Sequence, residues 1–503
     1  MMKRPPAGSW TLGATGLLVG AAVAVAAAQT GQVPPEEIAR RQFESGLAFA
    51  RGGNFTEALK DFQAVVELHP ASEVADDAWL QIGLYHLERA GDLAQAAAAA
   101  ETILTKYATR DGAAGAYVLS GRVSLAKSQS NADLAGALAD FDRVSRLFPD
   151  SPAVAESLVY AGQALQRLGR TSDALTRYNR VWLDYSGDPW APAAGIGMGM
   201  SIAASGDATG AIEAFQRVRN RWPDTREAVD ALKRQTILFR LAVRGATEPP
   251  FRQSAELPAP PSPKLPDVRA LAVGRDDAVC FAGESGIGVL AGPKSEPPPQ
   301  VSKARGLALD ARGQVVALGE GALRPRGGNL IPLSVPRPAK PPRPVEKLEA
   351  AVALPTGQWL VADGDEGVIH RFSPSGEYMA SFASLAAVRL ALSPQGDVAA
   401  IERASKNVVV FNLEGRTVGR IDPRGTRYTF RNPRDLAYDV FGHLYVLDET
   451  AVAIFNRRLE LMLVFAPPER SPGGFREATA VALDSFGRLY VADGDAKRVR
   501  VYQ

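Results

Sequence analysis

Cysteine is nearly absent from this sequence. The 503 residues contain one, Cys280, which excludes an intramolecular disulfide framework and a thiolate metal cluster. Histidine is scarce too, and the four present (His69, His86, His370 and His443) show no HxExxH-like spacing. His443 aligns with Gln314, Gln358, Asp397 and Arg488 at a turn position and reads as a solvated turn residue; His370 falls in an outer strand. Neither charge dominates: 57 Lys and Arg stand against 55 Asp and Glu, too even a balance for wholesale nucleic-acid binding. There is no P-loop, no convincing dinucleotide fingerprint and no serine on a nucleophile elbow. No catalytic constellation emerges, so neither enzyme activity nor a cofactor is expected.

What is present is an ordinary globular composition, 46% hydrophobic and 22% charged, in a chain long enough for two to four domains. Lys3 and Arg4 precede an uncharged stretch, Trp10 to Ala28, rich in Ala, Val, Leu and Gly and ending in three alanines before Gln29. Residues 1–28 therefore read as a secretory signal peptide and the mature chain as periplasmic or secreted. Left uncleaved, the segment would be an N-terminal membrane anchor. No cysteine follows the cleavage pattern, which argues against a lipid anchor.

From 35 to 245 the pattern is helical and repetitive. Gly46, Gly83, Gly121, Gly162 and Gly199 recur at intervals of 37, 38, 41 and 37 residues. About a dozen residues after four of them come an alanine and, four positions on, an aromatic: Ala58 and Phe62, Ala137 and Phe141, Ala174 and Tyr178, Ala211 and Phe215. The second unit has Ala100 in the aromatic's place. Pro70, Pro149 and Pro223 close three units. A small residue lets the first helix approach the second, the alanine–aromatic pair fills the seam, and proline stops the second helix.

This order resembles the tetratricopeptide repeat. The longer interval resembles the exported tetratricopeptide proteins of bacterial envelopes, such as the outer-membrane-assembly lipoprotein BamD and the periplasmic coordinator of the Tol-Pal system. It implies an α-solenoid of about five repeats plus a capping helix, with a concave face lined by the first helices. Repeat alignment places Phe43, Leu47, Leu80, Leu84, Leu87, Arg122, Leu125, Gln163, Arg167 and Met200 on that face as partner-binding candidates. The alternative is that these leucines only pack within the superhelix. The Lys and Asn that clamp peptide carboxylates in chaperone-tail-binding relatives are absent.

Residues 246–266 form a proline-rich linker that also offers a possible propeller-closing strand, Phe251–Leu257. From 267 to 503 the period is that of strands. Turn positions Asp277, Gly313, Gly357, Gly396, Gly442 and Gly487 lie 36, 44, 39, 46 and 45 residues apart, close to the 40 or so that a four-stranded blade needs. Wording such as ALDSFGRLYVAD resembles the NHL repeat, which implies a six-bladed β-propeller. The last blade holds three strands, so a fourth must come from before the first. Between blades two and three, Arg324, Arg326, Arg337, Lys340, Arg343 and Lys347 alternate with prolines and read as a solvated spacer.

Asp363, Asp365, Asp448, Asp493 and Asp495 lie between second and third strands of their blades. Oxygen ligands from several such loops would suit calcium. The same residues make good hairpin turns, and that reading is preferred. The expectation is an exported, non-enzymatic interaction scaffold of the bacterial envelope, with a protein or peptide partner and no nucleic acid. Its rivals are a metal-dependent propeller lactonase or lyase and a glycan or peptidoglycan binder.

Overall fold

The computed structural model describes residues 33–128, 130–257, 265, 267–283, 286–292, 304–319, 321–325, 328–422, 428–467 and 474–503. The expected signal segment 1–28, residues 258–264 and 266 of the linker, and Arg326 lie outside the described residues. Eleven α-helices come first: α1 Pro35–Arg51, α2 Phe55–Leu68, α3 Ala75–Tyr85, α4 Leu93–Lys106, α5 Gly112–Lys127, α6 Asn131–Leu147, α7 Ala153–Arg167, α8 Thr171–Asp184, α9 Ala191–Ala204, α10 Ala208–Arg221 and α11 Arg226–Leu238. Along the chain they make five successive pairs and a final helix. None of the described helices is long and apolar enough to cross a membrane.

Local chemistry explains the boundaries. Asn54, Asp92, Ser130 and Asp207 cap the second helices α2, α4, α6 and α10 through their side chains, and Gly53, Gly169 and Gly206 take the left-handed conformation between helices. The repeating glycines are spacers. A Cβ on Gly46 would stand 2.6 Å from Phe62, one on Gly121 2.5 Å from Phe141, and one on Gly162 2.5 Å from Tyr178. In the second pair, where Ala100 replaces the aromatic, the side chain facing Gly83 is Leu119, supplied by the first helix of the next pair.

The chain divides by compactness between Ser201 and Ile202, so α10 and α11 belong to the propeller's unit. There Phe215 of α10 meets Phe441 with ring centroids 6.3 Å apart. Arg240, in the π-turn that follows α11, donates to the carbonyls of Phe486, at 3.3 Å, and Gly487.

The propeller has six blades. Blade one is Val268–Val273, Val279–Gly283 and Gly286–Ala291; blade two is Gly306–Leu309, Val315–Gly319, Ala322–Pro325 and Ile331–Pro332. Blade three is Leu348–Ala353, Trp359–Asp363, Val368–Phe372 and Tyr378–Ala383; blade four is Ala387–Leu392, Val398–Glu402, Val408–Phe411 and Thr417–Ile421. Blade five is Asp435–Tyr438, Leu444–Leu447, Val452–Phe455 and Leu461–Phe465. Blade six takes Ala478–Leu483, Leu489–Asp493 and Arg498–Tyr502 from the end of the chain, and its fourth strand, Gln253–Leu257, from before blade one. That strand pairs antiparallel with Arg498–Tyr502, and Glu256 meets Arg500 across the pair at 3.2 Å.

The recurring D-x-x-G turn also has a physical cause. Asp439 and Asp484 each accept two backbone N–H bonds within their own turn, and the hydroxyl of Tyr490 adds a third partner to Asp484 at 3.2 Å. Between blades the core is apolar: Ile401 and Val408 of blade four pack with Leu436, Leu444 and Val446 of blade five.

One expectation fails here. The stretch between blades two and three is not a solvated spacer. Ala322–Pro325 and Ile331–Pro332 complete blade two, and Ser334–Arg337 pairs with Lys340–Pro344 as a hairpin. Leu333, Val335 and Val345 are buried beneath it, which gives this charged, proline-rich segment an apolar face.

Candidate functional sites

The first helices of successive repeats lie side by side, and polar residues join them. Arg122 of α5 reaches Glu88 beyond α3 at 2.5 Å and Glu156 of α7 at 3.2 Å, with its guanidinium 4.9 Å from the Tyr160 ring centroid. One side chain thus bridges three consecutive repeats. Burial pushes the Glu156 carboxyl up to about 7, even though Arg122 pulls it down. Asp77 is also pushed up to about 7, by burial and by the neighbouring Asp76 and Asp111. Arg167 of α7 donates to the carbonyl of Leu125, at 2.8 Å, and to that of Ser128, at 3.4 Å, tying α7 to the end of α5.

The apolar candidates divide. Leu80 and Leu125 are buried in core clusters. Phe43 and Leu47 are half-buried around Phe62, Leu84 and Leu87 are half-buried beside Leu80, and Gln163 and Met200 are half-buried on α7 and α9. Sequence alignment identified Arg122 and Arg167 by position only; their partners are 34 to 42 residues away and carry no local signal.

In the propeller, the acidic turn residues do not converge. Asp448, fully buried, accepts from the Tyr428 hydroxyl and from the N–H groups of Arg431 and Asn432 at 2.7–2.9 Å. Asp493 accepts from Arg500 at 2.9 Å and from the Ala496 N–H at 3.5 Å. Asp495 lies 3.7 Å from Arg476. Oxygen ligands from several loops do not come together; the only trio of potential metal-ligand atoms within 4.8 Å of one another among the described residues is Asp363, Glu366 and His370, all on blade three. Asp365 borders it and accepts from the Lys347 N–H at 3.2 Å.

Glu366 and His370 were not among the metal candidates of the sequence; His370 lies in the third strand of blade three, an outer strand as expected, and is 1% exposed. His443 is not a solvated turn residue, because its Nδ1 lies 2.8 Å from Asp439. The available signal was the spacing Asp363-x-x-Glu366-x-x-x-His370 across one hairpin. Burial lowers the His370 pKa, against the pull of Asp363 and Glu366. A polar cleft of about 480 Å³ lies elsewhere, between α11 and the turns of blades one, two and six, lined by Asp230, Lys233, Arg275, Asp277, Arg312 and Asp484.

Residues 35–186 match the family described as YfiO, outer membrane lipoprotein, and residues 194–225 match a tetratricopeptide-repeat family. The helical part is a tetratricopeptide array, and a six-bladed β-propeller follows it. No curated protein matches the chain. Among solved structures, a gluconolactonase from Xanthomonas campestris is 17% identical, with a TM-score of 0.36, over 50% of this chain and 98% of its own. A tetratricopeptide protein from Thermus thermophilus is 14% identical, with a TM-score of 0.33, over 40% and 98%. PilW, a type IV pilus biogenesis factor, is 16% identical, with a TM-score of 0.33, over 40% and 85%. At these values none of the three assigns an activity to this chain.

Proposed function

We propose that the protein is a non-enzymatic interaction scaffold of the bacterial cell envelope, exported to the periplasm or beyond by its N-terminal segment. In this reading a peptide or helix of a partner protein lies along the first helices of the array, and the propeller offers a second rigid face. The observation that carries the proposal is the match of residues 35–186 to an outer membrane lipoprotein family. Stacked helical pairs present an extended surface suited to such segments. The half-buried residues Phe43, Leu47, Leu84, Leu87 and Met200 supply apolar contacts, with Gln163 as a polar neighbour.

The test is cross-linking in envelope fractions followed by capture of the full chain. Leu84→Glu and Met200→Glu should each abolish capture of the cross-linked partner while the circular dichroism spectrum stays helical. Undiminished capture by both variants would overturn the reading.

A further inference from the structure

We propose that Asp363, Glu366 and His370 form a zinc-type metal site on blade three, and that Arg343 of the neighbouring hairpin competes with the ion for the same carboxylates. The strand register brings the first and last together. Val361 stands opposite His370 and Asp363 opposite Val368, so Asp363 and His370 are diagonal neighbours on one face of the sheet. Glu366 comes from the turn between those strands. His370 Nε2 lies 3.4 Å from Glu366 Oε2 and 3.7 Å from Asp363 Oδ2, and the three ligand atoms all lie within 4.8 Å of one another. A tetrahedral ion with ligands at about 2.0–2.2 Å holds them roughly 3.3–3.6 Å apart, so two edges of the site are near that spacing.

Independent support comes from the imidazole. His370 is 1% exposed and neither ring nitrogen makes a hydrogen bond. Burying a ring nitrogen without a hydrogen bond is costly; Nε2 faces only the two carboxylates, at 3.4 and 3.7 Å, and coordination of a shared ion through Nε2 would satisfy it. Asp363 divides its labour: Oδ1 accepts from the N–H groups of Asp365, at 2.9 Å, and Glu366, at 3.3 Å, which leaves Oδ2 for a cation. One imidazole with two carboxylates and no thiolate suits zinc better than calcium, which takes six to eight oxygens.

Arg343 contacts that same Oδ2, and its Nε donates to Glu366 Oε1 at 3.1 Å. An ion on Asp363 Oδ2 must therefore displace the Arg343 guanidinium and loosen the tie between the Lys340–Pro344 strand and blade three. By reciprocity, removing Arg343 must tighten zinc binding.

The experiment is calorimetric titration of the untagged, chelator-treated full chain with zinc chloride, with calcium chloride as control. One saturable zinc site and no calcium site are expected. Glu366→Gln, at an exposed turn position, should abolish binding, and His370→Gln should do the same. Arg343→Gln should raise the affinity about 5- to 150-fold. Absence of zinc binding up to millimolar concentration would overturn the proposal. So would an isotherm that Glu366→Gln leaves unchanged, which remains decisive should His370→Gln fail to fold.

Discussion

The helical array and the propeller are both built from repeats of similar length, yet they are held together over very different distances along the chain. In the array the ties span about one repeat: Arg110 to Asp76, Arg122 to Glu88 and Arg167 to Leu125 link residues 34 to 42 positions apart. In the propeller's unit the decisive ties are remote. Arg500 meets Glu256 across 244 positions, and Arg240 meets Gly487 across 247. A solenoid gains stability from neighbour contacts and tolerates local damage. A ring depends on one pairing that cannot form until both ends of the domain exist.

The largest effect should follow from breaking that pairing. Replacing Gln253–Leu257 by a Gly-Ser segment of equal length keeps the tether and removes the strand. It exposes the edge of Arg498–Tyr502, where Val499, Val501 and Tyr502 are buried. A loss of about 3–5 kcal/mol is expected from the ladder and its packing. The check is urea unfolding with light scattering. An unchanged midpoint and solubility would show that closure does not rest on this strand.

The second prediction sharpens the other side of the comparison. Gly121→Ala places a Cβ against the Phe141 ring and should cost about 1–3 kcal/mol. Because array contacts are local, hydrogen exchange should rise in α5 to α7 and stay unchanged in blades two to five. Gly136→Ala on α6 is the control. Its Cβ would meet nothing within 4 Å, so removing glycine's flexibility should leave stability equal or raise it by up to about 1 kcal/mol. Equal stabilisation by both would mean that helix propensity, rather than the glycine–aromatic seam, governs these positions.

Features written in one residue and its near neighbours were legible in the sequence. Gly121 and Phe141 are 20 positions apart in a fixed pattern, and D-x-x-G turns announce themselves. The count of strands in the last blade points to a donor before the first, and the strand found there runs Gln253–Leu257. What required the structure depends on depth or on remote partners. Leu80 and Leu84 are one turn apart on α3, yet one is buried in the core and the other half-buried. The hairpin Ser334–Pro344 reads as a spacer because prolines and charges hide the buried Leu333, Val335 and Val345. The grouping of Asp363, Glu366 and His370 arises from strand register, and Arg343 joins it from a different element.

The smallest effect concerns pH and should separate the two regions again. Glu156 carries a raised pKa of about 7, caused first by burial, so the folded array holds a proton that the unfolded chain releases near 4.5. Between those values the native state binds more protons than the unfolded one, and stability therefore falls as pH rises. The contribution is complete below about 4.5 and gone above about 7. Asp77 acts in the same direction. Glu156→Gln removes the first titration while keeping a hydrogen-bonding side chain beside Arg122. Relative to this variant, the wild-type array should lose stability from pH 5 to pH 8, read as the urea midpoint of helical circular dichroism. The propeller, followed by tryptophan fluorescence of Trp359, should show no difference between the two proteins across the same range. Isolating that signal requires Phe at the other five tryptophans in both backgrounds. A wild-type array that gains stability relative to the variant as pH rises would mean that the Arg122 ion pair outweighs the cost of burying the Glu156 charge.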